Sequence, residues 1–236
     1  MSTGNHKAGF YDLHSPSTAQ RAFLAALGGV CVAMAWWLLI GGGMEVAGGS
    51  LGLVWKSGDP ARRTLLAAAL SIYYIRILFT TFIFLQRGIT WREAFAIAPW
   101  ILGIYLLIAI SGGTNLETLG VVSWIGALLF LDGSSITFSA EYDRHMWKRR
   151  TQNNGRLYTE GLFKHTRHPN YLGDLVSFSG LCFISGVWAT AIIPLLMLAG
   201  FLFVNIPILD THLHDHYGAQ FDEYAKRTRK LVPFLY

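Results

Sequence analysis

The sequence RHPNYLGD, at residues 167–174, joins a basic, polar loop to an apolar segment of helical length. His168, Asn170 and Asp174 therefore stand at the mouth of an apolar run. Polar groups without a partner cost several kcal/mol in hydrocarbon. We therefore expect these groups to be satisfied by something, and a bound polar ligand is one candidate for that partner.

The composition around this stretch is typical of an integral membrane protein. Of the 236 residues, 53% are apolar and only 14% are charged, and the mean hydropathy is +0.39. A soluble domain carries about 25% charged residues. The formal net charge of +5 comes from loops between apolar runs, so it does not indicate nucleic-acid binding. Cys31 and Cys182 lie within apolar runs, and no cysteine spacing predicts a metal site.

Six apolar stretches approach the length of about 20 residues that a transmembrane helix needs. We therefore predict one all-α membrane domain over residues 1–236, a polytopic transmembrane helix bundle of about six spans with cytoplasmic loops and a C-terminal tail helix. The last two spans are joined by a few residues around Gly186 and should form a tight helical hairpin. The predicted spans are Ala22–Ile40, Thr64–Leu85, Ala94–Ser111, Leu119–Phe138, Tyr171–Val187 and Ala189–Leu209.

The distribution of lysine and arginine predicts the orientation of the bundle, because cytoplasmic loops carry an excess of both. The loop over residues 141–167, the tail after the sixth span and the short loop after the second span are all basic. We therefore predict that these segments and both chain termini, including the N-terminal segment 1–21, are cytoplasmic. Lys56, Arg62 and Arg63 fall on the opposite side and depart from the rule.

Four polar stretches converge on the predicted cytoplasmic side, and two of them lie on predicted helices. Thr137 and Glu141 are four residues apart and share a helix face, where they either line a pocket or mark a helix end that reaches water. Asn170 and Asp174 have the same spacing. Pro169 fits the first turn of their helix, and the free N–H groups of that turn suit an anion. A capped helix start is the alternative.

The other two polar stretches are a loop and the tail. Residues 153–156, Asn-Asn-Gly-Arg, predict a turn beside a row of cations, which is either a phosphate site or an ordinary loop tip. The tail carries His212, His214 and His216. His212 and His216 are four residues apart, but a third metal ligand at helical spacing is missing, so we predict no metal site. A polar helix on the membrane surface is the simpler interpretation of the tail.

The predicted second span contains Tyr73, Tyr74 and Arg76 near its middle. An ionisable residue inside a membrane is by default a functional hypothesis. A phenol at this depth is able to donate a proton to a buried substrate carbonyl. The alternative is a tyrosine that packs while the arginine bonds to backbone carbonyls. Glu45, which follows three glycines, is a further carboxylate near an apolar end and is otherwise a loop residue.

These residues carry a resemblance to a known superfamily. The tripeptide GLF at residues 161–163, together with RHPNYLGD at 167–174, resembles the motif of the membrane sterol reductases and steroid 5-alpha-reductases. The tail from Tyr217 to Tyr236 is similar to the end of those reductases. The isoprenylcysteine carboxyl methyltransferases share the core helices and an Arg-His-Pro-x-Tyr element. The resemblance is concentrated in the C-terminal half, residues 137–236.

The resemblance implies an NADPH-dependent oxidoreductase that reduces an activated C=C bond of a steroid, sterol or isoprenoid-like lipid. The hydride would come from NADPH, bound by the C-terminal half, and the proton from a tyrosine or another acid. By their match to the family, Tyr73, Tyr74 and Glu45 are the expected catalytic residues. The residues expected to bind NADPH are Thr137, Glu141, Lys148, Arg156, Arg167, His168, Asn170, Tyr171, Asp174, His214 and Tyr217.

The alternative is a SAM-dependent membrane methyltransferase of the isoprenylcysteine type. Those enzymes usually show paired acids early in the final tail helix, whereas residues 209–214 lack a Glu-Glu pair. The presence of both Asn170 and Asp174 also favours the reductase. A non-enzymatic membrane protein of the same fold is a third possibility. In each case we expect a monomer in the membrane, and for both enzymes a lipid-like substrate.

Overall fold

The fold is all-helical, as shown by a computed structural model that describes residues 16–235. Most of the predicted segment 1–21 therefore lies outside the described residues, as does Tyr236. Short 3₁₀ and π turns join several of the helices. The α-helices of the described chain are α1 (Thr18–Leu39), α2 (Gly43–Ser50), α3 (Pro60–Phe79), α4 (Trp91–Gly113), α5 (Val121–Lys148), α6 (Pro169–Ser185), α7 (Ile192–Gly200), α8 (Ile206–Tyr217) and α9 (Ala219–Arg227).

Five helical segments of the described chain are long and apolar enough to cross a membrane, and α6 adds a sixth, shorter pass. With 17 residues, α6 rises about 26 Å, slightly less than a hydrocarbon core of about 30 Å. Its last residue, Ser185, accepts a hydrogen bond from Asn115 after the end of α4 (3.0 Å), so α6 spans the bundle. The predicted all-helical bundle of about six spans is confirmed. The five longer segments are Thr18–Leu39, Pro60–Phe84, Trp91–Gly113, Val121–Lys148 and Trp188–Tyr217.

The helix ends follow from local sequence. Asp59 caps α3, because its side chain accepts the backbone N–H of Arg62 at 2.8 Å and Pro60 follows directly. Helix α6 begins at Pro169, two residues before the predicted start, because a proline fits the first helical position; its N-cap residue, His168, makes no side-chain capping bond. It ends at Gly186, whose φ of 69° reverses the chain toward α7.

Helices α5 and α6 pack through a seam of small residues. A Cβ placed on Gly133 would lie 2.4 Å from the backbone nitrogen of Ser177, and one on Gly180 would lie 2.5 Å from the carbonyl oxygen of Gly126. Such small-residue contacts let two backbones approach closely where lipid provides no hydrophobic driving force between helices. The seam fixes α6, and therefore RHPNYLGD, against the end of α5.

We expect Gly133→Ala to lower the free energy of unfolding by about 1–3 kcal/mol, because the added methyl group must displace α6 backbone. Gly103→Ala is the matched control, since nothing lies within 4 Å of a Cβ at that helical position. Replacing a helical glycine there should be neutral or should stabilise by about 0.5–1 kcal/mol. Thermal unfolding of both variants in detergent measures the difference, and equal melting temperatures would refute the close packing.

The two arginines that depart from the charge rule bind the ends of helices. Arg62 is only 2% exposed, and its guanidinium donates to the carbonyl oxygen of Ile184, at the end of α6, and to that of Glu117, in the loop between α4 and α5. Arg63 donates to the carbonyl oxygen of Leu39, the last residue of α1. Helix ends leave such carbonyls without an intrahelical partner. The charges of Arg62 and Arg63 are therefore used in packing and are not surface charges that report orientation.

Candidate functional site

A cavity of about 790 Å³ lies at the end of the bundle that carries RHPNYLGD. This volume is within the range of about 300–1,000 Å³ that is usual for small-molecule sites. The walls come mainly from the end of α5, the start of α6, helix α8 and the segment that joins α3 to α4, with further residues from the α5–α6 loop, α4 and α9. Parts of the sequence that lie far apart in the chain therefore meet around one space.

The α5 wall is one face of a single helix. Helix α5 continues ten residues past the predicted end at Phe138, so its last turns carry polar residues beyond the apolar run. Glu141, Arg144, His145 and Lys148 recur at spacings of three and four and all line the cavity. The Glu141 carboxylate accepts a hydrogen bond from the Thr80 hydroxyl at 2.7 Å.

Two π turns in the described chain both contribute to the cavity. The first, Thr80–Phe84, extends α3 and supplies Thr80 and Phe84; the second, Phe201–Asn205, joins α7 to α8 and supplies Asn205. Turns of this kind are rare and are often found at functional sites. The ring of Tyr171 stacks on Phe201 with centroids 4.4 Å apart, which holds the second turn against the start of α6.

Arg167 and His168 line the cavity, but their polar atoms mainly hold the C-terminal tail. The Asp210 carboxylate accepts from the Arg167 guanidinium at 2.8 Å and contacts His168 Nε2 at 3.0 Å. Arg167 also donates to the carbonyl oxygens of Ala225 and Thr228 at 3.2 Å, and its backbone N–H donates to Arg229. This pair therefore fixes α8 and the tail beside α6.

Below the cavity, Arg76 and Asp174 form an ion pair of 2.9 Å between α3 and α6. The hydroxyl of Thr137 lies 3.2 Å from the Asp174 carboxylate and 3.0 Å from the backbone oxygen of Asn170. These three side chains do not line the cavity themselves. They join α3, α5 and α6 immediately beneath the residues that do.

Of the side chains expected to bind NADPH, most come together at the cavity and four do not line it. Arg156 is exposed and only its backbone oxygen is engaged, by Lys148. His214 is exposed and contacts Asp222 at 2.9 Å. Thr137 and Asp174 lie below, as described. Those that line the cavity are Glu141, Lys148, Arg167, His168, Asn170, Tyr171 and Tyr217.

The three side chains expected to be catalytic lie away from the cavity wall. Tyr73 is buried (8% exposed) and packs on Tyr105 and Phe178. The hydroxyl of Tyr74 donates to the carbonyl oxygen of Ala25 on α1 at 2.9 Å, so Tyr74 joins two helices.

Glu45 lies at the far end of the bundle from the cavity. Its carboxylate accepts the backbone N–H of Ser57 at 2.9 Å, just before α3 begins, and α3 is about 30 Å long. Hydrogen bonding to Ser57 lowers the pKa of Glu45, which favours the ionised carboxylate, a form without a proton to donate. We therefore do not place Glu45 in the site.

Several cavity residues were not among those expected from the sequence. Arg144 and His145 share the helix face of Glu141 and Lys148, so their spacing was a usable signal. No such local signal marks Thr80 or Asn205, which reach the cavity because of π turns in apolar segments. Helical spacing can identify one face of one element, but it does not show which other element that face meets.

These features define a multi-pass helical membrane protein with a polar cavity at one end of its bundle. The chain belongs to the family described as a protein of unknown function, DUF1295, whose model matches residues 90–228. The matched segment contains all of α4 to α9 and therefore most of the residues that line the cavity.

Curated relatives fall into two enzyme classes. Human 3-oxo-5-alpha-steroid 4-dehydrogenase 2 is 26% identical over 112 residues, which cover 48% of this chain and 42% of the relative. Protein-S-isoprenylcysteine O-methyltransferase B of Arabidopsis thaliana is 32% identical over 91 residues, which cover 39% of this chain and 46% of the relative. The chain thus spans less than half the length of these relatives. The superfamily predicted from RHPNYLGD is confirmed, and both of its chemistries are represented.

Proposed function

We propose that this protein is an NADPH-dependent reductase of a C=C bond activated by a carbonyl group in a steroid, sterol or isoprenoid-like lipid. The observation that carries the proposal is the excess of cations around the cavity. Glu93 is neutralised by Arg87 (2.9 Å) and Arg167 by Asp210 (2.8 Å). Among the lining residues, this leaves Arg144, Lys148 and Arg149 facing the single carboxylate of Glu141.

This charge pattern fits a dinucleotide phosphate better than SAM. NADPH carries three phosphate groups, and arginine and lysine are the side chains that bind phosphate oxygens most strongly. SAM has no phosphate, and its sulfonium and ammonium groups outnumber its single carboxylate, so a cavity rich in cations suits it less well. Arg144, Lys148 and Arg149 would hold the phosphates, and the cofactor when bound would supply the hydride. The methyltransferase remains the second candidate because the relative from Arabidopsis thaliana is 32% identical.

Glu141 is the acid that the geometry offers for the proton step. It lines the cavity and has no ion pair within the described chain, whereas Glu93 is bound to Arg87. In the proposed reaction the hydride adds to the β-carbon of the enone and charge develops on its oxygen. Glu141 would then donate a proton to the α-carbon, which completes the saturated ketone, and the Glu141 carboxylate would regain a proton from solvent. Stabilisation of the developing charge by positioned donors is the usual source of rate enhancement in such steps.

We further propose that the cavity faces the cytoplasm, where NADPH is abundant, with both termini on that side. The guanidinium of Arg21 on α1 donates to the carbonyl oxygens of Leu85 (2.9 Å) and Arg87 (2.8 Å), both in the segment that lines the cavity. The start of α1 and the tail therefore lie at the cavity end. Basic residues concentrate at the same end, as expected for a cytoplasmic face.

Cofactor binding tests the proposal directly. The purified protein in detergent should bind NADPH in calorimetry and be stabilised by it in thermal unfolding, without a comparable response to SAM. Binding should weaken as salt is raised, because the contacts are between charges. Binding of SAM without NADPH would overturn the proposal in favour of the methyltransferase.

Two neighbouring arginines provide a matched pair for the phosphate contacts. We expect Arg149→Gln to weaken NADPH binding about fivefold, since one charge-assisted hydrogen bond at an exposed site contributes about 1 kcal/mol. Arg150→Gln should leave the affinity unchanged, because Arg150 is equally exposed but does not line the cavity. Titration of each variant with NADPH measures the effect, and equal affinities would remove Arg149 from the phosphate site.

A further inference from the structure

Asn205 is a polar residue in an otherwise apolar membrane segment. It ends the π turn Phe201–Asn205 inside Trp188–Tyr217, whose most apolar window has a mean hydropathy of 2.4. A polar side chain at such a position costs free energy unless it has a partner. Within residues 16–235, the Asn205 carboxamide has no hydrogen-bond partner; the residue is exposed at the surface of the bundle and also lines the cavity. Its partner is therefore to be sought in what the cavity binds.

The position of Asn205 immediately before α8 places it at the membrane end of the cavity. Leu209, Leu213 and Tyr217 follow it on the same helix face and also line the space. Tyr217 marks the outer rim, where its hydroxyl contacts Lys148 Nζ at 2.7 Å. Twelve residues of helix separate Tyr217 from Asn205, which is about 18 Å. Asn205 is thus far from the cations that we assign to phosphate binding.

The surroundings of Asn205 indicate a lipid and not a nucleotide. The two preceding residues, Phe203 and Val204, are 79% and 51% exposed, so this turn faces the hydrocarbon. The opposite side of the turn packs on Tyr171, beside Asn170. A lipid that enters from the membrane would meet Asn205 first, and the only strong polar group of such a molecule is its oxygen function.

We propose that Asn205 binds the substrate, donating a hydrogen bond to the oxygen function of the lipid and selecting for lipids that carry one. The inference rests on the proposed function in that it assumes a lipid substrate with a carbonyl group. It does not depend on which cofactor is bound. A site built to bond a substrate oxygen rejects the analogue that lacks it, because a desolvated polar group is then left without a partner.

The test uses the full chain in lipid nanodiscs and two tritiated probes, a 3-oxo-4-ene steroid and the same skeleton without the 3-oxygen. The wild type should prefer the ketone, and Asn205→Leu should weaken ketone binding about tenfold without changing the affinity for the oxygen-free probe. Asn205→Gln keeps the donor and should keep the preference. Ser135→Leu is the control, because Ser135 is exposed on α5 and bonds only its own helix at Leu131 (2.8 Å).

Three results would overturn the inference. The first is that the wild type binds both probes with equal affinity, and the second is that Asn205→Leu weakens the binding of both probes equally. The third is that Asn205→Leu lowers the affinity for NADPH and leaves ketone binding intact. Loss of both probes would show a packing role, and loss of NADPH would make Asn205 a cofactor contact. If the wild type binds SAM in place of NADPH but Asn205 still discriminates the ketone, the proposed reduction fails and this inference stands.

Discussion

Replacing Glu141 by glutamine should lower the turnover of an enone lipid by NADPH about 10²–10⁴-fold, the usual contribution of a positioned general acid. Glutamine keeps the size of the side chain and can still contact the Thr80 hydroxyl, which lies 2.7 Å from the carboxylate. Its carboxamide does not donate a proton near neutral pH. Both KM and the affinity for NADPH should therefore change little, because the loss falls on the chemical step.

The comparison with Tyr73→Phe decides which acid supplies the proton. Tyr73 is buried beside Arg76, with the guanidinium 5.3 Å from its ring centroid, and does not line the cavity. We expect Tyr73→Phe to retain most of the turnover, and Tyr74→Phe to act only through stability. Glu223→Gln on the exposed side of α9 is the control for the loss of one carboxylate. Full turnover in Glu141→Gln together with its loss in Tyr73→Phe would assign the proton to the tyrosine instead.

The fold was predictable from sequence because a membrane imposes length and hydropathy on each span. Helix α6 was found although it has only 17 residues, since Pro169 and Gly186 mark its ends. The continuation of α5 to Lys148 was not predicted, because hydropathy stops reporting a helix once the helix leaves the apolar layer. The seam of Gly126, Gly133 and Gly180 was present in the sequence as small residues at helical spacing.

The residues that α5 and α6 contribute to the cavity could be predicted from the sequence, whereas those from the two π turns could not. Glu141 and Asn170 belong to segments whose spacing and motif are local, and both line the cavity. Thr80 and Asn205 depend on π turns, which form where tertiary packing outweighs regular helix geometry. Contacts such as that of Arg167 with Asp210 join residues far apart in sequence, and periodicity carries no information about them.

Arg76 is a second example of a contact that sequence periodicity does not reveal. Its position inside the second span was recognised as unusual, but its partner was not evident from the sequence. The structure supplies Asp174 at 2.9 Å, from a helix almost a hundred residues later (174 − 76 = 98). Asp174, the last residue of RHPNYLGD, therefore has a structural role that the motif alone did not indicate, because it neutralises the charge of Arg76 within the membrane.

Removal of the Asp174 carboxylate should be among the most destabilising single changes in this protein. Arg76 is 8% exposed and Asp174 24% exposed, so Asp174→Ala leaves a mostly desolvated guanidinium without its partner. Breaking a buried pair from one side costs about 3–5 kcal/mol, because the remaining charge is uncompensated. The double variant Arg76→Met with Asp174→Leu should recover much of that loss, since it removes both charges together and keeps apolar volume.

Unfolding equilibria of these variants in a fixed detergent separate the pair from its surroundings. Glu223→Ala is the matched control, because Glu223 is an exposed acid on α9, outside the membrane-spanning segments, and should change the free energy of unfolding by less than about 0.5 kcal/mol. A double variant as unstable as Asp174→Ala would show that the two changes do not act through a shared charge pair. A loss of less than about 1 kcal/mol in Asp174→Ala would mean that water or lipid headgroups already solvate Arg76. A large loss in Asp174→Ala that the double variant recovers would show that the Arg76–Asp174 ion pair stabilises the contact between α3 and α6 below the cavity.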